Sequence, residues 1–155
     1  MFRSLSIKAL LATLVIPFVM LGTSQAANQG SAAEAEAMVK KAVAYLAANG
    51  SEKAAEEFTN GTGFKDRDLY VSYYKLDGTV IGHGANPKLV GKNLIDLKDP
   101  NGKLLIQMIT DLAKTKGKGW TDTYVFRNPV TNKMQEKIIY VQRVDDTWIG
   151  VGIYK

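Results

Sequence analysis

The stretch Tyr70-Val71-Ser72-Tyr73-Tyr74-Lys75-Leu76-Asp77-Gly78-Thr79-Val80-Ile81-Gly82-His83 decides the fold. Residues 70–76 are rich in aromatic side chains, which favour a pleated strand. Asp77-Gly78 is a two-residue turn of the kind that closes a hairpin, since both positions accept positive φ. Thr79 to His83 then forms the returning strand. Downstream, residues 84–102 contain Pro87, Gly91, Pro100 and Gly102. A connection that long is uncommon unless it serves as a lid or binding segment.

Asp99 and Pro100 predict a helix start, and Leu104, Leu105, Met108, Ile109 and Leu112 supply its apolar face. Residues 114–119 end it. Strands are expected over Trp120–Arg127, Gln135–Val144 and Thr147–Tyr154. Turns at Asn128–Asn132 and Asp145-Asp146 separate them. Upstream, Ser31 and Glu34 have capping-box spacing. Met38, Val39, Ala42, Val43 and Leu46 share one helical face, and Asn49-Gly50 stops that helix. Ser51 is expected to cap a short second helix running to about Phe58, before the breaker cluster 60–63. The order α-α-β-β-α-β-β-β, with five mostly hairpin-connected strands, predicts an α+β domain. Its antiparallel sheet carries the long N-terminal helix on one face.

The remaining features narrow the class. The 155 residues suffice for one domain. There is no cysteine, which excludes disulfide frameworks, thiolate metal sites and cysteine nucleophiles. A single histidine, His83, excludes histidine-clustered metal centres. No nucleophile elbow, phosphate loop or dinucleotide fingerprint occurs, so neither catalysis nor a cofactor is expected. Residues 1–26 read as a signal peptide: Arg3 and Lys8, the apolar run 9–22, and Ser24-Gln25-Ala26 before the expected cleavage. Residues 27–155 then form the domain, with 18 Lys+Arg against 15 Asp+Glu. The excess is scattered, and nucleic acid is excluded as a partner.

The set Asp77–His83, Asn86–Leu94, Asp96–Asp99, Gly102-Lys103, Gly119-Trp120, Asn128-Pro129, Lys137–Val141 and Trp148–Tyr154 resembles, in order and spacing, the type-2 single Cache family. The resemblance covers residues 33–155. It implies a PAS-like fold with a five-stranded antiparallel sheet, the long helix on one face and a small-molecule pocket on the other. It further implies an extracytoplasmic sensory role and a short organic acid or similar polar metabolite as ligand. Most members are sensor parts of chemoreceptors and histidine kinases. Here the chain closes at Lys155, directly after the last strand, so a free-standing exported form is expected. Its output would pass through a separate membrane receptor, kinase or transporter, and a homodimer through the N-terminal helix is a further expectation.

Seven residues are candidates for the ligand site. Tyr70, Ser72 and Tyr74 alternate onto one strand face, with Ser72 small enough to leave volume. Trp120 and Tyr124, at i and i+4, share a face if their strand has no bulge. Lys137 lies beside Ile138 and Ile139 and needs a partner, either a ligand carboxylate or an acid such as Asp122. His83 fits the family's histidine at the pocket mouth; its other reading is a strand-end residue bonded to local backbone. Gly150 and Gly152 serve either helix approach or pocket volume. Asp96, Asp99, Asp145 and Asp146 read as turn and cap acids, not a metal site. The alternative function is a structural module, its pocket filled by its own side chains, that associates with a membrane sensor or transporter.

Overall fold

The computed structural model describes residues 28–155; the expected signal peptide lies outside them. Helix α1 spans Ala32–Asn49. Its capping box is formed: Glu34 N donates to Ser31 Oγ at 3.3 Å and Ser31 N donates to Glu34 Oε2 at 2.8 Å. Two of the four free N-terminal amides would otherwise lack side-chain partners. Ala35, Val39 and Ala42 form its buried stripe, and the small alanines let the helix lie close on the sheet. Gly50, at φ +80°, breaks the helix, and α2 (Ser51–Asn60) follows at once. Ser51 does not cap α2 as expected. Gly50 holds that position, and Ser51 Oγ lies 3.0 Å from the Tyr73 hydroxyl.

Seven strands follow: β1 (Lys65–Asp66), β2 (Leu69–Lys75), β3 (Val80–His83), β4 (Lys118–Trp120), β5 (Tyr124–Arg127), β6 (Met134–Val144) and β7 (Thr147–Tyr154). All pairs are antiparallel. The sheet runs β1-β2-β7-β6-β4, with β3 also on β2 and β5 also on β6. The expected five strands are present, with one divided. Residues 120–127 form not a single strand but β4 and β5, both paired to β6. The two-residue β1 is too short to carry a periodic signal.

The β2–β3 hairpin closes through Leu76, Asp77 and Gly78, where Lys75 N donates to Thr79 O and Gly78 N to Lys75 O. Of the two expected turn residues only Gly78 takes positive φ, +91°. Asp77 instead accepts the Thr79 amide at 2.8 Å. Helix α3 (Leu105–Lys116) starts later than expected. Asp99 is used in the preceding loop, its carboxylate accepting the amides of Asn101, Lys103 and Val125.

Both faces of the sheet are covered. Toward α1 and α2 lie Val71 and Tyr73 of β2 with Ile149 and Val151 of β7, packed on Val39 and Phe58. On the other face α3 and residues 84–104 cover Tyr74, Tyr124, Ile139, Val141 and Trp148. The 84–104 connection is tied to the hairpin: Val80 N donates to Lys92 O, Gly91 N to Val80 O and Leu94 N to Gly78 O.

Phe58 is fully buried and meets the Phe64 ring edge-on at 4.8 Å and the Tyr73 ring at 5.8 Å. Phe58→Ala is expected to cost about 3–5 kcal/mol in urea unfolding. A loss under about 1 kcal/mol would show that α2 contributes little to the core.

Candidate functional site

Strand parity builds the site. Tyr70, Ser72 and Tyr74 of β2 face away from α1, and Lys137 of β6 and Tyr154 of β7, which pair in register, meet them there. Lys137 is 2% exposed. Its Nζ donates to the Tyr70 hydroxyl at 2.6 Å and to the Tyr154 hydroxyl at 3.2 Å. It also stands 4.3 Å from the Tyr70 ring centre, 4.6 Å from that of Tyr154 and 5.3 Å from that of Phe126. Gly152 makes this arrangement possible. A Cβ there would lie 2.1 Å from Lys137 Cε, so the lysine stem occupies the space of the missing side chain.

Among the described residues no acid pairs with the ammonium. The ion pairs among the described residues join Arg67 to Glu34 and Asp66. Asp122, the partner considered from sequence, makes no such pair. Asp68 favours the charge through space, but its carboxylate accepts the Gly30 amide at 2.7 Å and lies 3.5 Å from Asn128 Nδ2. Burial therefore dominates and brings the Lys137 pKa down to about 7.

His83 is 3% exposed and makes the local backbone contact of its second reading. Its backbone N donates to Thr59 Oγ1 at 3.2 Å, and its Nδ1 accepts the Asn86 amide at 3.1 Å. Burial first, and then the charge of Lys137, lower its pKa to about 3. The ring is thus neutral, and with Nδ1 accepting, the proton sits on Nε2. Tyr74 stacks on Trp148 at 4.4 Å with the planes 5° apart, and the Trp148 Nε1 donates to Thr110 Oγ1. Burial pushes the Tyr74 and Tyr124 hydroxyls well above their ordinary pKa, so both remain protonated donors.

Four polar groups here make no hydrogen bond within the described chain: Ser72 Oγ, the Tyr74 and Tyr124 hydroxyls, and His83 Nε2. No fully enclosed side-chain nitrogen or oxygen lacks a partner, so these four face open volume. That volume is an inner chamber of about 20 Å³ bounded by Tyr70, Ser72, Tyr74, His83, Tyr124, Phe126, Lys137 and Trp148, with α3 residues as its roof. It has room for about one water. A second cavity of about 570 Å³ lies outside it, between residues 85–100 and the β5–β6 turn. Tyr70, His83, Leu105 and Phe126 wall both.

Six of the seven candidates converge. Trp120 does not. It is on the α1 face, where its Nε1 donates to Glu36 Oε1 at 2.8 Å and its ring lies 5.5 Å from that of Tyr140. The cause is register. Trp120 pairs with Tyr140 and Tyr124 with Lys137, so four steps along one strand match three along β6. The extra residue in 121–123 is a bulge that reverses the face. Tyr154, Phe126 and Trp148 are not among the seven candidates. The even spacing Trp148, Gly150, Gly152, Tyr154 is the signal that places all four on one face of β7.

A profile of the family described as Single Cache domain 2 matches residues 2–155. The chain belongs to that family. Cache domains are extracytoplasmic sensor domains, and among the described residues no helix is long and apolar enough to cross a membrane. The crystal structure of a methyl-accepting chemotaxis protein from Vibrio parahaemolyticus RIMD 2210633 is 28% identical. It superimposes with a TM-score of 0.67 over 79% of this chain and 86% of that one. A Cache chemosensory domain solved as a basis for carboxylic acid recognition is 25% identical, with a TM-score of 0.62 over 79% of this chain and 86% of its own. Sensor histidine kinase MctS of Rhizobium johnstonii (strain DSM 114642 / LMG 32736 / 3841) is 31% identical over 90 residues, 57% of this chain and 19% of that protein. The chain thus spans about a fifth of that kinase. The α+β architecture agrees with these Cache neighbours.

Lys137 also sets a pH dependence. With its folded pKa lowered to about 7, the unfolded chain binds the extra proton between there and the ordinary lysine value. Stability of the ligand-free protein should therefore rise with pH above 7, by at most about 1.4 kcal/mol per unit. Lys137→Met should remove that rise in urea titrations at pH 7 and pH 9. Parallel curves for the two proteins would show that the amine is not titrating in this range. Gly152→Ala should displace the lysine stem and destabilise the fold by about 1–3 kcal/mol; a neutral result would mean that the stem can move aside freely.

Proposed function

We propose that this chain is an exported sensory domain that binds a small carboxylate and acts through a separate membrane receptor or kinase. One observation carries the reading: the Lys137 ammonium is buried without an acidic partner and faces a chamber of unpartnered donors. An isolated buried charge is costly, and a bound anion offsets that cost. In this reading Lys137 takes one carboxylate oxygen. Ser72, Tyr74, Tyr124 and His83 Nε2 are placed to donate to the remaining lone pairs, while Tyr70 holds the ammonium in position. The carboxylic acid recognised by the similar Cache chemosensory domain agrees with this chemistry. The link to a kinase or chemoreceptor rests on what the similar proteins are, since the chain corresponds to only part of the kinase it matches.

The test is a thermal-shift screen of organic acids, amino acids, amines and purines, followed by calorimetry. A carboxylate at 100 times its Kd should add about 2.7 kcal/mol of stability. Lys137→Met should weaken binding at least tenfold. Affinity should hold steady below pH 7 and fall about tenfold per pH unit above it, because binding must then take up a proton. Affinity that is flat from pH 7 to pH 9 would exclude the ammonium–carboxylate pair. No hit in any class would favour the structural module.

A further inference from the structure

The two cavities on the pocket face differ in chemistry. The inner one is lined by donors and holds about one water; the outer one is about 570 Å³, within the size range of complete ligand sites. Its walls include Leu89, Leu94, Leu97, Val125, Pro129 and Met134. The leucines are fixed in place: Leu94 N donates to Gly78 O and Leu97 N to Leu94 O, and all three pack on the same core as Tyr74 and Trp148. Met134 is 48% exposed, so the outer cavity reaches the surface. A carboxylate group alone would engage the inner chamber and leave those apolar walls against water.

Resting on the reading of Lys137 as the carboxylate anchor, we infer that the ligand is an amphipathic monocarboxylate with a hydrocarbon tail. One oxygen of the acid group takes the water-sized space of the inner chamber beside Lys137. The tail passes between Tyr70, His83 and Phe126 into the outer cavity, where the leucines and Val125 enclose it. Lys98, Asp99 and Arg127 also line the outer cavity. Arg127 is engaged there with Asn132 Oδ1 at 2.9 Å and Asp99 with three backbone amides, while the Lys98 side chain makes no hydrogen bond among the described residues; a dicarboxylate is the ligand that would engage these cations.

Calorimetry of the purified protein with straight-chain monocarboxylates of two to ten carbons tests this. Affinity should climb by up to about fourfold per methylene before levelling off. Octanol, with the tail but no charge, should bind far more weakly than octanoate. Leu94→Gln and the surface-proximal Met134→Gln should each lower octanoate affinity more than propionate affinity. The exposed Met134 site keeps the comparison available if the Leu94 variant fails to fold. Tightest binding of the two- or three-carbon acids, or of dicarboxylates over monocarboxylates of equal length, would overturn the tail and leave the carboxylate anchor standing. Binding of octanol as tight as octanoate, or no carboxylate binding at any length, would instead remove the anchor itself.

Discussion

A sheet covered on both faces allows no neutral position. Away from their exposed ends, the residues of β2, β6 and β7 enter one of two cores, and parity decides which. Tyr73 goes under α2, its hydroxyl 3.0 Å from Ser51 Oγ, while its neighbour Tyr74 goes to the opposite face and stacks on Trp148. The same rule brings Lys137 into the interior, because Ile138 and the half-buried Tyr140 occupy the other face of β6. A polar side chain on either face must therefore find a partner or border a cavity. The distribution of partners, more than the distribution of polar residues, locates the site.

Lys137 shows what that constraint costs and how it is offset. Two phenol oxygens accept from the ammonium, and three aromatic rings surround it, contributions that electron-rich oxygens and ring faces make to a cation. The Tyr154 hydroxyl donates onward to Arg127 O at 2.8 Å, which orients its lone pairs toward the lysine. Gly152 supplies the space. None of these neutralises the charge, and the pKa near 7 is the measure of what remains. A neighbourhood built only to stabilise lysine would include a carboxylate. Asp68 is buried nearby, yet its oxygens are committed to Gly30 and Asn128.

Much of this was legible in the sequence, for identifiable reasons. The Ser31–Glu34 box, the place of the hairpin turn at Asp77-Gly78 and the alternation over residues 70–74 are local signals with local physics, and they agree with the structure, although the turn takes in Leu76 and only Gly78 adopts positive φ. The burial of Lys137 was legible because it lies in an apolar strand of a sheet covered on both faces. Trp120 was misplaced because one inserted residue at 121–123 reverses the face, and no periodic pattern announces a bulge between two short strands. The start of α3 was misread for a related reason. An Asp-Pro pair serves a loop as well as a helix cap, and here Asp99 satisfies three amides, one of them on β5. The two cavities lay beyond sequence reading, since each is formed where residues distant in the chain meet: the inner one between the sheet and α3, the outer one between residues 85–100 and the β5–β6 turn.

The hydrogen-bond polarity of the inner chamber argues for recognition of an acceptor. Lysine offers only donors, and the raised tyrosine hydroxyls keep their protons. Histidine could have offered either polarity, but the Asn86 amide uses Nδ1 as its acceptor and leaves N–H as the group toward the cavity. The serine and tyrosine hydroxyls can also accept, so the fixed polarity rests on Lys137 and His83. Such a lining penalises an amine or guanidinium, which would face a cation. A carboxylate brings two oxygens, lone pairs for several donors and a charge of the required sign. The backbone amide of Asn86 belongs to the connection that covers the pocket, so the contact that fixes the histidine's polarity also ties the cover to the site. The position of residues 84–102 and the donor polarity of His83 are in this way one arrangement.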